Sequence, residues 1–303
     1  MAGAMHGSLA KICGAGSDEI LALLARAYAG PGDEILFGEH AFVMYPIFAL
    51  SVGATPIKAP ETKFTVSVDA LLSKVTEHTR IVYVANPNNP TGTMLSKKML
   101  GDLVSSCRQC GATFISDEIY HGIEYENKAV TALEITDDCY VINSFSKYFS
   151  MTGWRIGWMV VPEGHIRRVE RLAQNMFICA PHVSQIAAIM AMDCEEELQE
   201  NLSVYRTNRD IMVAGLAKAG FNKMAPPDGA FYIYADVSHI TQNSVTFARE
   251  ILDEVGVAVT PGTDFDMVRG NRTLRFSYAR STTDIVEGIE RLKNFMFGKG
   301  YAI

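Results

Sequence analysis

The tightest constraint on this chain is an alternation. From Ser17 to Val161, short apolar strands and amphipathic helices follow one another, and the strands end in polar clusters. A helix is predicted over Ser17–Ala29, with Ile20, Leu23, Leu24 and Ala27 on one face. Gly30-Pro31-Gly32-Asp33 stops it and turns the chain. Strands are predicted at Glu34–Phe37, Ile81–Ala85, Ala112–Ser116, Tyr140–Ser144 and Ile156–Val161. Helices are predicted at Tyr45–Val52, at Val68–Glu77 behind a Ser67 cap, and at Ser96–Cys110. Such alternation builds an α/β fold, a mainly parallel sheet covered by helices on both faces. Ligands of such sheets sit beyond the carboxyl ends of the strands.

The remainder reads differently. A long polar-faced helix spans Glu195–Lys218, followed by strands at Phe231–Ala235 and Arg272–Ser277 and helices at Ser244–Glu254 and Thr283–Phe297. Two domains are expected, a large one over 1–194 and a smaller α+β one over 195–303. A chain of 303 residues with 48% hydrophobic residues can bury a core without staples. Its net charge of −7 argues against nucleic acid or an anionic membrane as partner. No apolar run is long enough to span a bilayer, and the first residues do not read as a secretory signal. Six scattered cysteines suit reduced thiols in a cytoplasm. Cys107 and Cys110 form a lone CxxC, read as small apolar residues late in a helix. No histidine pair has ligand spacing, so no metal is expected. His40 and His121 lie near the polar clusters and are candidates for lining a cleft.

Those clusters carry the chemistry. After Ile81–Ala85 comes Asn86-Pro87-Asn88-Asn89-Pro90-Thr91-Gly92; after the next strand comes Asp117-Glu118-Ile119-Tyr120; after the next, Ser144-Phe145-Ser146-Lys147, with Arg155 just beyond. A lysine can form a Schiff base with an aldehyde cofactor such as pyridoxal 5'-phosphate. That cofactor works best with its ring nitrogen protonated, and Asp117 is placed to keep the proton on. Its ring oxygen needs donors, which Asn89 and Tyr120 offer. Its phosphate needs hydroxyls and a guanidinium, from Ser144, Ser146 and Arg155, and free backbone N–H groups, from the helix start at Gly16, Ser17 and Asp18. Each motif alone has a plainer reading, as a turn, a cap or a solvated lysine. Their order, each at a strand end, is what points to one site.

In NPNNPTG, SDEIY and SFSKYFSMTGWRIGW the chain resembles fold-type I pyridoxal-phosphate enzymes of the class I/II aminotransferase family. The segment from Gly16 to Tyr45 is most similar to histidinol-phosphate aminotransferases, and the middle to aspartate- or aromatic-type members. The resemblance implies a seven-stranded-type sheet, a homodimer, and ping-pong transfer between an amino acid, or histidinol phosphate, and a 2-oxo acid. It implies that Lys147 carries the Schiff base and moves the proton, assisted by Asp117 and Tyr120. It further implies that Phe42 stacks on the cofactor ring, and that Arg275, in TLRFSYA, grips the substrate carboxylate beside Asn89. Members carry more sequence before Gly-Ser-Asp-Glu than the 16 residues preceding Ser17 here. That stretch supplies an arm, part of the small domain and a tyrosine reaching the partner's cofactor. Two other readings stay open on the same residues, a C–S lyase using the same cofactor and a non-catalytic cofactor-binding protein.

Overall fold

The computed structural model describes residues 10–301. Its centre is a seven-stranded sheet formed by β1 (Ala10–Gly14), β2 (Glu34–Gly38), β3 (Thr55–Ala59), β6 (Thr79–Ala85), β7 (Thr113–Asp117), β8 (Tyr140–Ser144) and β9 (Gly157–Val161). A two-stranded hairpin, β4 (Glu61–Thr62) and β5 (Thr65–Val66), follows β3. The strand order is β1-β9-β8-β7-β6-β2-β3. Strands β3, β2, β6, β7 and β8 run parallel; β9 turns back against β8, and β1 runs antiparallel to β9. The inner strands β2, β6, β7 and β8 are mostly apolar and buried because both faces of the sheet are covered there, whereas the edge strands β1 and β3 are more polar and more exposed.

Helices α1 (Ser17–Tyr28), α2 (Met44–Ser51), α3 (Val68–Leu72), α4 (Lys97–Cys110), α5 (Ile166–Met176) and α6 (His182–Ala191) belong to this part of the chain. Helix α1 packs Ile20, Leu21, Leu23 and Leu24 into one core with Ile81, Tyr83 and Ile142. Each such side chain contributes about 2 kcal/mol by leaving water. Helix α4 covers the other face through Leu100, Leu103, Val104 and Cys107. It starts on the Ser96 hydroxyl, which accepts from the Met99 amide, and ends at Gly111 with φ 74°. Burial pushes the Cys107 thiol up to about 12, and Cys107 and Cys110 are free thiols.

A separate three-stranded sheet, order β10-β12-β11, contains β10 (Tyr232–Asp236), β11 (Thr260–Pro261) and β12 (Thr273–Ser277). Helices α7 (Glu195–Lys218), α8 (Ser244–Val255) and α9 (Thr282–Gly298) share one core with it, built on Leu216, Ile251, Ile289 and Phe276.

Several sequence expectations need correction. The helix predicted over Val68–Glu77 ends at Leu72. Beyond it the hydroxyls of Thr76 and Thr79 bond Glu34 and the local backbone, which ties this stretch into the turn leading to β6. On α1 the face turns slightly, so Ala25 is buried and Ala27 exposed. Elements β1, β3, α5 and α6 were not expected. Helix α6, HVSQIAAIMA, carries apolar residues on every face and so lacks the polar stripe that marks a surface helix.

Candidate active site

Sheet register brings the polar clusters to one edge. Ala85, the end of β6, pairs with Asp117, the end of β7, and Asp117 pairs with Ile142 in β8. Because β9 and β1 are antiparallel, Gly157 faces both Ser144 and Gly14. The turn into α1 therefore lies beside the end of β8. A side chain at Gly157 has no room: a Cβ there would stand 2.9 Å from the Asn143 carbonyl oxygen and 3.1 Å from the Ser17 nitrogen. That close approach sets the N-terminus of α1 against the Ser144–Lys147 loop.

One cavity opens at this edge. Lys147 is in its wall, half-buried, with Nζ 5.8 Å from the centre of the Tyr120 ring and 5.9 Å from that of Phe231. Asp117, Tyr120, Asn89 and Phe42 line the same space. So do Ser17, Asp18, Ser146 and Arg155. Asp117 is 3% exposed, and burial pushes its carboxyl up to about 6. The Tyr45 hydroxyl donates to its Oδ2 at 2.8 Å and pulls the other way. The Tyr120 hydroxyl lies 3.0 Å from that of Tyr232.

Arg155 has φ 49°, a left-handed conformation, with Nη1 donating to the Thr152 carbonyl and Nη2 to that of Ala15. A Cβ on Gly16, whose φ is 94°, would meet Nη2 at 2.7 Å. The guanidinium thus lies beside the start of α1, where the helix's first amides make an anion site. The Asp18 carboxylate, 4.0 Å from Nη2, has the sign of a phosphate, so the backbone amide of Asp18 is its useful donor.

Three expected residues sit elsewhere. Ser144 is fully buried and outside the cavity wall. Its hydroxyl donates to the Ile156 carbonyl at 3.0 Å and stands 3.1 Å from Ser146 Oγ, so it supports Ser146 from behind. Gly16 is outside the cavity wall too, and its amide donates to the Gly14 carbonyl at 2.8 Å, so it is not one of the free donors. Arg275 is next to the wall: Nη1 donates to Asn89 Oδ1 at 2.8 Å, and its guanidinium carbon lies 4.2 Å above the Tyr232 ring and 4.7 Å from that of Phe265. Its Nε is buried without a hydrogen-bond partner among the described residues. The Asn-Pro-Thr-Gly loop makes this meeting possible, since Gly229 donates its amide to the Gly92 carbonyl and draws the β10 region against the loop. His40 and His121 do not line the cavity. His40 Nδ1 is 2.9 Å from Glu61, and His121 Nδ1 is 3.4 Å from Glu118.

Tyr45, Tyr232 and Thr152 escaped the sequence reading. The Thr152 hydroxyl donates to the Ser146 carbonyl at 2.6 Å. Tyr45 had a signal, for it lies three residues beyond Phe42 and faces the same side of the chain.

Residues 8–292 match the family model described as aminotransferase class I and II. The chain belongs to the class I and II aminotransferase family. It is a pyridoxal-phosphate-dependent aminotransferase. Its sequence is 38% identical to valine–pyruvate aminotransferase of Mycobacterium tuberculosis over 284 residues, covering 91% of this chain and 72% of that one. It is 41% identical to histidinol-phosphate aminotransferase of Paramagnetospirillum magneticum over 173 residues, 56% of this chain and 47% of the other. A crystal structure of a candidate aminotransferase from Silicibacter pomeroyi matches with TM-score 0.90 and 54% identity, covering 95% of this chain and 78% of the other. The cavity suits the cofactor. A buried acid, neutral donors, a lysine and an anion site are arranged around one space, and burial is the largest influence on the acid.

Proposed function

We propose that this chain transfers an amino group from an α-amino acid to a 2-oxo acid, with Lys147 as the amine that holds the cofactor aldehyde. The observation that carries the reading is Lys147 lining one cavity together with Asp117, Tyr120 and Asn89, and with Ser17, Ser146 and Arg155. When bound, pyridoxal phosphate supplies an electron sink for the pair left as a proton departs the donor's α-carbon. Asp117, as the anion, holds a proton on the ring nitrogen. Asn89, through its amide N–H, and Tyr120 donate to the ring oxygen. Ser17 and Asp18 offer backbone amides to the phosphate, while the Gly16 amide is held by the Gly14 carbonyl at 2.8 Å, and Ser146 and Arg155 add a hydroxyl and a guanidinium. Phe42 covers one face of the ring. Lys147, once its amine is free, would take the α-proton and pass it to the carbon on the far side of the donor's amino nitrogen.

Arg275 is the proposed carboxylate clamp. Its present partner, Asn89 Oδ1, is neutral and can be exchanged for a charged oxygen, which binds about twice as strongly. The experiment follows the cofactor's visible absorbance while donors are added singly: valine, alanine, aspartate, histidinol phosphate and the amides of the amino acids. The expected result is conversion to the aminated form by one or more amino acids and not by their amides. Equal conversion by amino acid and amide would remove Arg275 from this role. Conversion by none, or release of more than one equivalent of oxo acid per cofactor without an acceptor, would overturn transamination by this chain.

The proposed division into domains falls at 195, where α7 begins. A homodimer is also proposed, supported by the outward face of α6 and the turn before it. Ile178, Val183, Ile189 and Met190 are 62–79% exposed there, which suits burial against a second copy. Sedimentation is expected to give twice the 33.3 kDa chain mass, and a monomer at micromolar concentration would refute this. The proposed setting is the cytoplasm, in keeping with free thiols at all six cysteines.

A further inference from the structure

Behind the cavity wall, one buried phenol connects three parts of the site. Tyr45, in the first turn of α2, is 1% exposed. Its hydroxyl donates to Asp117 Oδ2 at 2.8 Å. Its ring stacks on Tyr83, 4.8 Å between centres and 14° between planes, and meets Phe42 edge-on at 5.8 Å. Tyr83 in turn donates to the Leu21 carbonyl in α1 at 2.9 Å. A continuous run therefore links α1, whose first amides form the anion site, through Tyr83 and Tyr45 to Asp117.

We infer that Tyr45 is a positioning residue, which orients Asp117 and favours its anionic form toward the cofactor's ring nitrogen. The inference rests on the reading of Asp117 given above. Burial and the adjacent Asp117 hold the Tyr45 proton on well above the usual phenol range, so Tyr45 acts as a donor throughout the working pH range. The other contact on the carboxylate is weaker, the Ile119 amide to Oδ1 at 3.4 Å. Asp18 at the start of α1 and Glu118 next in the chain both oppose the anion. Tyr83 and Tyr120 face Tyr45 as neutral phenols, and Lys147 lines the cavity in front. Of the groups on the protein side, Tyr45 does most to keep the acid charged.

Tyr45→Phe keeps the ring and its stacking and deletes the donor. The measurement is the affinity of the apoprotein for pyridoxal phosphate, by quenching of intrinsic fluorescence, from pH 5 to 9, with Asp117→Asn in parallel. Loss of a hydrogen bond to a charged group is expected to weaken ionisation of Asp117 about tenfold. The acid limb of the affinity profile then moves up by about one pH unit, while affinity at pH 9 changes little. A Tyr45→Phe profile that overlays the wild type while Asp117→Asn falls would overturn the inference and leave the reading of Asp117 intact. A fall of equal size at every pH would mark Tyr45 as merely structural and also overturn it. No change in either variant would remove the role of Asp117, and this inference with it. Tyr45→His, which retains a ring N–H donor, is expected to keep the acid limb at or below the wild-type position. It carries the test alone if Tyr45→Phe does not fold, and an acid limb above the wild type would then count against the inference.

Discussion

Lys147→Ala is expected to lower the turnover number for transamination by at least about a thousandfold, because one amine performs two separate tasks. In the proposed reaction it holds the cofactor aldehyde and carries the proton between two carbons. Alanine can do neither, and among the residues lining the cavity no second lysine stands in. The visible band that the cofactor gains on condensing with a protein amine is expected to disappear in the same variant. Stability is expected to change little, since Lys147 is half-buried and sits against the Tyr120 and Phe231 rings rather than in an ion pair of the fold. A small primary amine in the buffer is expected to restore part of the proton transfer but not the visible band's attachment to the protein. The measurements are steady-state turnover, the absorption spectrum and a melting curve. Turnover within tenfold of the wild type would show that the amine of Lys147 is not the group at the reacting carbon. Lost turnover together with a collapsed melting curve would show only that the chain had unfolded, and Lys147→Gln would then replace it.

Strand ends were legible because two local codes agree there. An apolar run of about five residues marks a buried strand, and a polar residue type with no structural need marks its end. Asp117, Asn89 and Lys147 were reached in that way, and register then brings them together. What was not legible is whatever depends on a partner far along the chain. Helix α6 is apolar all round, so periodicity could not find it. Strand β1 is stabilised by pairing with β9, roughly 150 residues away in sequence, and nothing inside AKICG demands that it extend.

The same limit applies inside the site. Ser144 and Ser146 are equivalent in sequence, both hydroxyls at the end of β8. Only the fold distinguishes them, by turning Ser144 toward the Ile156 carbonyl and leaving Ser146 in the wall. Tyr232 stacks under Arg275 and also touches the Tyr120 hydroxyl, though the three lie on different elements. A single sequence has no term that pairs residue 120 with residue 232. The resemblance to known aminotransferases placed Arg275; spacing alone would have left it on a strand edge.

Asp117→Asn is expected to have opposite effects on catalysis and on the stability of the apoprotein. Asparagine cannot supply the negative charge that keeps a proton on the ring nitrogen, so turnover is expected to fall by about two to four orders of magnitude. The apoprotein should nonetheless become more stable at alkaline pH. Asp117 has its carboxyl raised from 3.8 to about 6 by burial. A carboxyl raised on folding contributes its stability fully below its unfolded pKa, near 3.8, and loses it as pH climbs through about 6. Above that point the folded apoprotein holds a buried anion that the unfolded chain would keep in water. The shift of about two units corresponds to roughly 3 kcal/mol, at about 1.4 kcal/mol per unit. Asparagine is neutral at every pH and can still accept from Tyr45, so the penalty is absent. Urea denaturation of the two apoproteins should therefore show little difference at pH 4 and a gain for Asp117→Asn, on the order of 3 kcal/mol, at pH 8. Equal stability at both values would mean that Asp117 is not held at a cost to the fold. Saturating cofactor should reverse the order, because a protonated ring nitrogen beside the carboxylate supplies the counter-charge missing from the apoprotein. A charge that destabilises the empty site and is stabilised by the bound cofactor is one whose placement is explained by the chemistry rather than by folding.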